Sequence, residues 1–399
     1  MARQQIKRVI TDVPQQSEFS MPQIIPIRDL KNTAKISEQC RAADAPIFVT
    51  KNGYGDMVLS DMEGAAVEAA LAPHGIPAHV ARQIRRVVLR QGALPAWLPT
   101  VGAKRLEVVR PLIRIPRLQL VEKSVAARDD FTKYLFRAEG AEGCFEAVRI
   151  PLLHRPGDEK YVVCISSQVG CALGCVFCAT GRLGFVRNLA TWEMVDQVVQ
   201  VGADSPHPVS GVVFMGMGEP LLNYEAVIRA ARIMAEPCGL AIAGKAITIS
   251  TAGIAPAIRR MAEERLPFRL VVSLTSADPA QRQELMPVTR RYPLPELLEA
   301  LRFYHDRLRR RVTLAWIMLA GVNVDEPHAR ALGAWVAGLP VKIDLLDVND
   351  PTGSYRPPDE AERHAFRDAL RQHVPAPVAR RYSGGDEIQA ACGMLAGGR

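Results

Sequence analysis

The stretch Tyr161-Val162-Val163-Cys164-Ile165-Ser166-Ser167-Gln168-Val169-Gly170-Cys171-Ala172-Leu173-Gly174-Cys175-Val176-Phe177-Cys178 decides how this chain is read. Its first six residues are a short apolar, β-branched run and predict a buried strand over 161–166. A loop punctuated by glycine follows, and it carries three cysteines at the spacing Cys171-x3-Cys175-x2-Cys178. The other five cysteines, Cys40, Cys144, Cys164, Cys238 and Cys392, are scattered.

Downstream, short β-rich runs at 211–215, 246–251, 268–274, 312–319 and 342–348 alternate with amphipathic stretches such as 192–201, 224–234 and 295–308. That alternation predicts an α/β fold with a parallel sheet and crossover helices. Six strands are too few to close an eight-stranded barrel, so an open, partial parallel βα barrel is expected. Such sheets place their chemistry just past the C-terminal strand ends. There this chain has the cysteine loop after the first strand and Gly216-Met217-Gly218-Glu219-Pro220 after the second. Ser250 closes the third, Ser273 to Thr275 close the fourth, and Asn349 follows the sixth.

Three thiolates in one loop suffice to hold three irons of a [4Fe-4S] cluster and leave the fourth open. An open iron can chelate the amino and carboxylate groups of S-adenosylmethionine (SAM) and pass an electron to its sulfonium, giving a 5′-deoxyadenosyl radical. A structural zinc site is the competing reading, but zinc takes four protein ligands in paired units, and no second Cys-x2-Cys pair follows. The glycines of 216–220 let backbone approach a ligand, and the Glu219 carboxylate can accept from the SAM ammonium.

At 399 residues and 48% apolar the chain can bury a large core, with no unbroken apolar run long enough for a membrane span and no signal-peptide pattern. A soluble, cytoplasmic protein that does not engage membranes is expected. Eight cysteines in a reducing compartment point to metal or catalysis rather than structural disulfides. A net charge of +8 is compatible with a polyanionic partner. A basic helical region over 64–131, with Arg82, Arg85, Arg86, Arg90, Lys104, Arg105 and Arg110, is placed to grip phosphates; a solvated helix face is the plainer alternative.

Four segments carry a resemblance: Ser166-Ser167-Gln168-Val169-Gly170-Cys171, residues 216–223, Ser250-Thr251-Ala252-Gly253, and Ala390-Ala391-Cys392-Gly393-Met394-Leu395. From residue 64 onward the chain resembles the radical SAM RNA adenine C2-methyltransferases of ribosomal and transfer RNA and their C8-methylating antibiotic-resistance relatives. The resemblance implies a [4Fe-4S] cluster on Cys171, Cys175 and Cys178, two SAM per turnover, and an electron donor such as flavodoxin. It implies that Cys392 accepts a methyl group and carries it to the base. Glu146, in Glu146-Ala147-Val148-Arg149-Ile150-Pro151, matches the family's base. Cys164, seven residues before Cys171, matches the thiol that resolves the covalent adduct by forming a disulfide with Cys392. SAM contacts fall on Gly218, Glu219, Ser250, Ser273, Thr275 and Asn349.

Three departures stand out. Thr275 and Ser276 replace the family's His-Ala, Asp350 replaces a proline, and Arg381-Tyr382-Ser383-Gly384-Gly385-Asp386-Glu387 replaces a more basic tail. The primary expectation is methylation of adenine C2 in 23S ribosomal RNA and/or transfer RNA. C8 methylation, or the same methylcysteine chemistry on a non-RNA substrate, are the alternatives.

Residues 20–62 read differently, with apolar runs at 24–30 and 46–50 and an Asn52-Gly53 turn signal. They resemble the DNA-binding half of Phd/YefM-type antitoxins, which implies DNA contact or dimerisation. Either a fused module or a segment upstream of a start at Met62 fits. Three domains are therefore expected, at 1–61, 62–140 and 141–399. A DNA-binding regulator with an iron–sulfur redox sensor is the reading from a different class.

Overall fold

The computed structural model describes residues 24–26, 48–50, 57–152, 157–350 and 352–398. The chain divides into two compact units, Met1–Met57 with Glu107–Arg114, and Val58–Leu106 with Ile115–Arg399. In the first, strands Ile24–Pro26 and Phe48–Thr50 pair in parallel, with Ile24 opposite Phe48. Residues 20–23, 27–47 and 51–56 of the stretch that resembles antitoxins, including Cys40 and the Asn52-Gly53 turn, lie outside the described residues.

The second unit is built on a ten-stranded sheet whose spatial order follows the sequence. Its strands are β1 (Gln119–Val125), β2 (Thr132–Arg137), β3 (Cys144–Leu152), β4 (Lys160–Cys164), β5 (Val209–Phe214), β6 (Ile247–Thr251), β7 (Arg269–Ser273), β8 (Val312–Met318), β9 (Val341–Asp347) and β10 (Val378–Arg380). Strands β1 to β4 are antiparallel neighbours. From β4 to β10 every pairing is parallel.

Helices α1 (Gly64–Leu71) and α2 (Ala78–Gln91) precede the sheet, and, beside the short helices Ala179–Arg182 and Pro279–Leu285, each parallel crossover carries one longer helix. In chain order these are α3 (Thr191–Asp204), α4 (Tyr224–Ala235), α5 (Ala255–Glu263), α6 (Leu294–Leu308), α7 (Glu326–Trp335) and α8 (Glu360–His373). The apolar stripe of α6, Leu297, Ala300, Leu301 and Tyr304, recurs at helical spacing and is fully buried.

Side-chain alternation gives the sheet two unlike faces. The register aligns Val212, Ile247, Phe214, Ile249, Leu270, Val272, Leu314, Ile343, Trp316 and Leu345 on the helix-covered face, all buried. Trp316 meets Phe366 of α8 at 5.9 Å between ring centroids. The same register puts Glu146, Cys164, Thr248, Ser250, Arg269, Ser273, Thr313, Lys342 and Asp344 on the other, inner face. Most polar residues of β6 to β9 therefore share one surface, while Thr251 and Arg380 register with Val272 and Leu345 on the helix-covered face.

The six expected parallel strands are present, and the sheet is larger than the sequence reading allowed. Strand β10 is a seventh parallel strand, three residues long and preceded by Pro375 and Pro377, too short to stand out as a β run. Residues 119–137, expected in a helical domain, are instead strands β1 and β2. A second correction concerns Arg85. Arg82, Arg86 and Arg90 form an exposed stripe along α2, but Arg85 points inward with no exposed side-chain surface. It ion-pairs with Glu236 at 2.5 Å and donates to the Met62 carbonyl at 2.9 Å. Among the described residues no helix is long and apolar enough to cross a membrane.

Candidate active site

Past the end of β4 the chain is zipped to the loop after β5. Ser167 and Gln168 N–H groups donate to the Met217 carbonyl at 2.9 and 3.2 Å, and the Met217 N–H donates to Ser166 Oγ at 2.9 Å. Glycine is required here because the backbones touch. A Cβ on Gly218, whose φ is +96°, would sit 2.5 Å from Gln168 Cβ, and one on Gly216 would sit 2.8 Å from Ser166 N. Gln168 completes the join, its Oε1 accepting from Glu219 N–H at 2.8 Å.

Glu219 is buried and reaches across to the end of β6. Its oxygens accept from Ala252 N–H at 2.8 Å and Leu221 N–H at 3.0 Å. Burial lifts its pKa to about 7 against the pull of those donors, so the carboxyl is poised to ionise fully when a cation docks. Arg282, fully buried, ties the same loops from below. It donates to the carbonyls of Ala252 at 2.7 Å, Leu274 at 3.1 Å and Ser273 at 3.3 Å.

These loops surround a cavity of about 170 Å³ at the C-terminal ends of β4 to β9. Cys171, Cys175, Cys178, Gly218, Glu219, Ser250, Ser273, Asn349, Arg381 and Cys392 line it. Burial raises the Cys171 thiol to about 12 and pushes Cys175 higher still, so neither is a thiolate unless a cation stands beside it. This donor set fits the implied iron–sulfur cluster. Three thiols open onto one cavity, and among the described residues no three His, Cys, Asp or Glu side chains converge on a point as a single metal ion requires. Gly218, Glu219, Ser250 and Asn349 present backbone, carboxylate, hydroxyl and amide groups to the same cavity.

The C-terminal loop closes the cavity. Ala179 N–H and Thr180 Oγ1 donate to the carbonyls of Gly393 and Leu395 at 2.8 and 2.7 Å. Asn349 Nδ2 donates to the Cys392 carbonyl at 3.3 Å and to Ser383 Oγ at 3.2 Å, and Ser383 Oγ accepts from Cys392 N–H at 3.2 Å. Cys392 is exposed as a residue while its thiol faces the cavity. Its surroundings push the thiol up, and Arg381 and Ser383 pull the other way.

Glu146 and Cys164 stand on neighbouring strands of the inner face but do not line the cavity. Cys164 is buried, which raises its pKa; the Cys392 thiol is close enough to raise it further, and both are free thiols. Glu146 holds the chain end. Its Oε2 accepts from Ala396 N–H at 2.7 Å and Gly397 N–H at 3.0 Å, and its Oε1 lies 3.2 Å from Lys133 Nζ.

Thr275 stands apart from the other expected SAM contacts. It is completely buried at φ +61°, its Oγ1 has no partner among the described residues, and it does not line the cavity. The Asp350 departure instead gains contacts. Its carboxylate accepts from Thr352 N–H at 3.1 Å and Tyr355 N–H at 3.1 Å and pairs with Arg182 at 2.6 Å, next to the cysteine loop. Burial works against its ionisation, but Arg182, Thr352 and Tyr355 prevail and hold it at about 2. Gln168 and Arg381 fall in segments singled out in the sequence without being assigned a role, and Arg282 was missed because a lone arginine in a short helix carries no pattern of its own.

Residues 165–331 match the model of the radical SAM superfamily. A probable RNA methyltransferase of Myxococcus xanthus is 48% identical over 85% of this chain and 94% of its own length. The dual-specificity RNA methyltransferase RlmN of Syntrophobacter fumaroxidans is 43% identical over 79% of this chain and 91% of its own. The crystal structure of a radical SAM methyltransferase from Sphaerobacter thermophilus superposes with a TM-score of 0.76 at 35% identity, covering 85% of this chain and 99% of that one. With its cysteine loop and glycine turn on one cavity wall, the chain belongs to the family of radical SAM RNA methyltransferases.

Proposed function

We propose that this protein methylates an adenine base in RNA, at C2 of adenosine in 23S ribosomal RNA and/or transfer RNA, with Cys392 as the methyl carrier. The observation that carries this is the convergence of Cys392 with Cys171, Cys175 and Cys178 on a single cavity. Adenine C2 is an electron-poor carbon that does not attack a methyl sulfonium, so a carrier thiol beside a radical source answers the chemical need. The cluster on Cys171, Cys175 and Cys178, with two SAM per turnover and an electron donor such as flavodoxin, supplies the methyl group and the radical.

The protein's own groups do the rest. Gly218, Glu219, Ser250, Ser273 and Asn349 orient SAM, Glu219 taking its ammonium. Arg381 favours the Cys392 thiolate that accepts the methyl group, and Cys164, on the inner face beside it, resolves the adduct through a disulfide with Cys392. Glu146 takes the ring proton, and because Oε2 now accepts from Ala396 and Gly397, the loop must release before Glu146 acts. The exposed Arg82, Arg86 and Arg90 stripe offers phosphate contacts.

Reconstituted protein, methyl-labelled SAM, reductant and unmodified ribosomal or transfer RNA, followed by mass spectrometry of the digested nucleosides, test this reading. Label in 2-methyladenosine is expected. Label in 8-methyladenosine would move the chemistry to the neighbouring carbon, and 5′-deoxyadenosine without labelled RNA would remove RNA as the substrate.

A further inference from the structure

The inner face of the sheet has a second opening. At the N-terminal ends of β6 to β9 lies a cavity of about 550 Å³, on the same measure larger than the 170 Å³ above the C-terminal ends. Its walls are set by the register. Thr248 pairs with Arg269 and Thr313 with Lys342, so two adjacent rungs each put one hydroxyl and one cation into the bore. Lys245, Arg310 and Arg311 add cations from the connections below, and Arg381 adds one from the far side.

Against these six cations stands one carboxylate, Asp344, 2.7 Å from Lys342 Nζ and 3.7 Å from Arg381 Nη1. Arg310 is partly engaged by the Leu266 carbonyl at 2.6 Å. Lys245, Arg269 and Arg311 have no hydrogen-bond or ion-pair partner among the described residues. Like charges gathered in a concave site repel one another and focus a positive potential, which an entering anion relieves. The helix-covered face of these strands carries apolar residues, so the cations are confined to the bore.

We propose that this lower cavity is a binding site for a compact anion carrying clustered phosphates, such as a nucleoside polyphosphate or inorganic polyphosphate. Several unpartnered guanidinium and ammonium groups with two hydroxyls match adjacent phosphates, since guanidinium bonds phosphate in bidentate fashion. The inward-facing rungs at Thr248 and Thr313 are reached only by a group that enters the bore, which a duplex backbone does not. The site lies at the opposite strand ends from the methylation chemistry and shares one residue with it, Arg381.

Calorimetric titration of the full-length protein with inorganic tripolyphosphate tests it. One saturable site is expected, weakened at least tenfold in an Arg269→Glu/Arg311→Glu variant and unchanged in Arg302→Glu/Arg371→Glu, which alters the same charge on the exposed faces of α6 and α8. Arg311→Ala, on an exposed turn, gives a smaller loss in the same direction with unaltered thermal unfolding, which separates lost binding from lost folding. Absence of saturable binding, or equal loss in both double variants, overturns the proposal. So does displacement of tripolyphosphate by a 5′-hydroxyl oligoribonucleotide at equal phosphate concentration, which would assign the cations to an RNA backbone.

Discussion

The two ends of the inner face are made by the same strands and differ in how their polar groups are used. Above the C-terminal ends, polar atoms are committed to one another: Gln168 to Glu219, Glu219 to Ala252 and Leu221, Arg282 to three carbonyls, and Glu146 to the chain end. Below the N-terminal ends, the side chains of Lys245, Arg269 and Arg311 line the cavity without partners among the described residues. A site that must hold reacting groups in a fixed geometry spends its hydrogen bonds on its own loops, whereas one that only recognises a charge leaves its cations free.

The sharpest way to break that contrast is to crowd the upper end. Gly218→Ala forces a Cβ within 2.5 Å of Gln168 at a left-handed φ, and should cost about 2–5 kcal/mol of stability and abolish SAM binding. Arg269→Ala at the lower end should stay within about 0.5 kcal/mol of the parent. Denaturant titrations of the two variants decide it, and similar values would erase the distinction between the ends.

Committed and uncommitted arginines can also be compared on one helix. Arg85→Ala removes a buried partner of Glu236 and should cost about 3 kcal/mol, while Arg86→Ala one residue on should leave the melting temperature nearly unchanged and weaken RNA binding instead. For the carboxylate at the chain end, Glu146→Gln keeps an acceptor oxygen but cannot take a proton. Hydrogen exchange at Ala396 and Gly397 should rise only a few-fold while RNA methylation stalls at the covalent protein–RNA adduct. Free turnover in that variant would confine Glu146 to holding the loop.

The smallest effect is expected at Asp350. Its folded pKa of about 2 lies below the ordinary 3.8, so its contribution to stability is present above 3.8 and disappears as pH falls through about 2. Asp350→Asn should therefore lower the unfolding midpoint well above pH 3.8 and match the parent near pH 2. A gap that persists in acid would mean the carboxylate charge is not what holds the turn.

Much of this was legible from residue order. Six strands, and a cysteine loop and glycine turn at the same strand ends, follow from short β-rich runs alternating with amphipathic stretches and from cysteine spacing within a loop. Their proximity follows because parallel strands place consecutive loops side by side. Strand β10 escaped because three residues between a proline and a loop carry no period, and β1 and β2 because neither Gln119–Val125 nor Thr132–Arg137 alternates cleanly between apolar and polar residues. The inward turn of Arg85 depends on Glu236, 151 residues away, a partner that sequence order does not announce. The burial of Thr275 likewise depends on the backbone turning left-handed after β7. The Arg182–Asp350 pair joins two segments whose local sequences are each consistent with exposure.

The claim on which the rest depends is that Cys392 carries the methyl group. Reconstituted protein given methyl-labelled SAM without RNA, then digested and read by peptide mass spectrometry, tests it directly. The account predicts label on the Cys392 thiol that passes into an adenine of RNA added afterwards, and no labelled RNA from the Cys392→Ala variant. Labelled adenine made by that variant would contradict it.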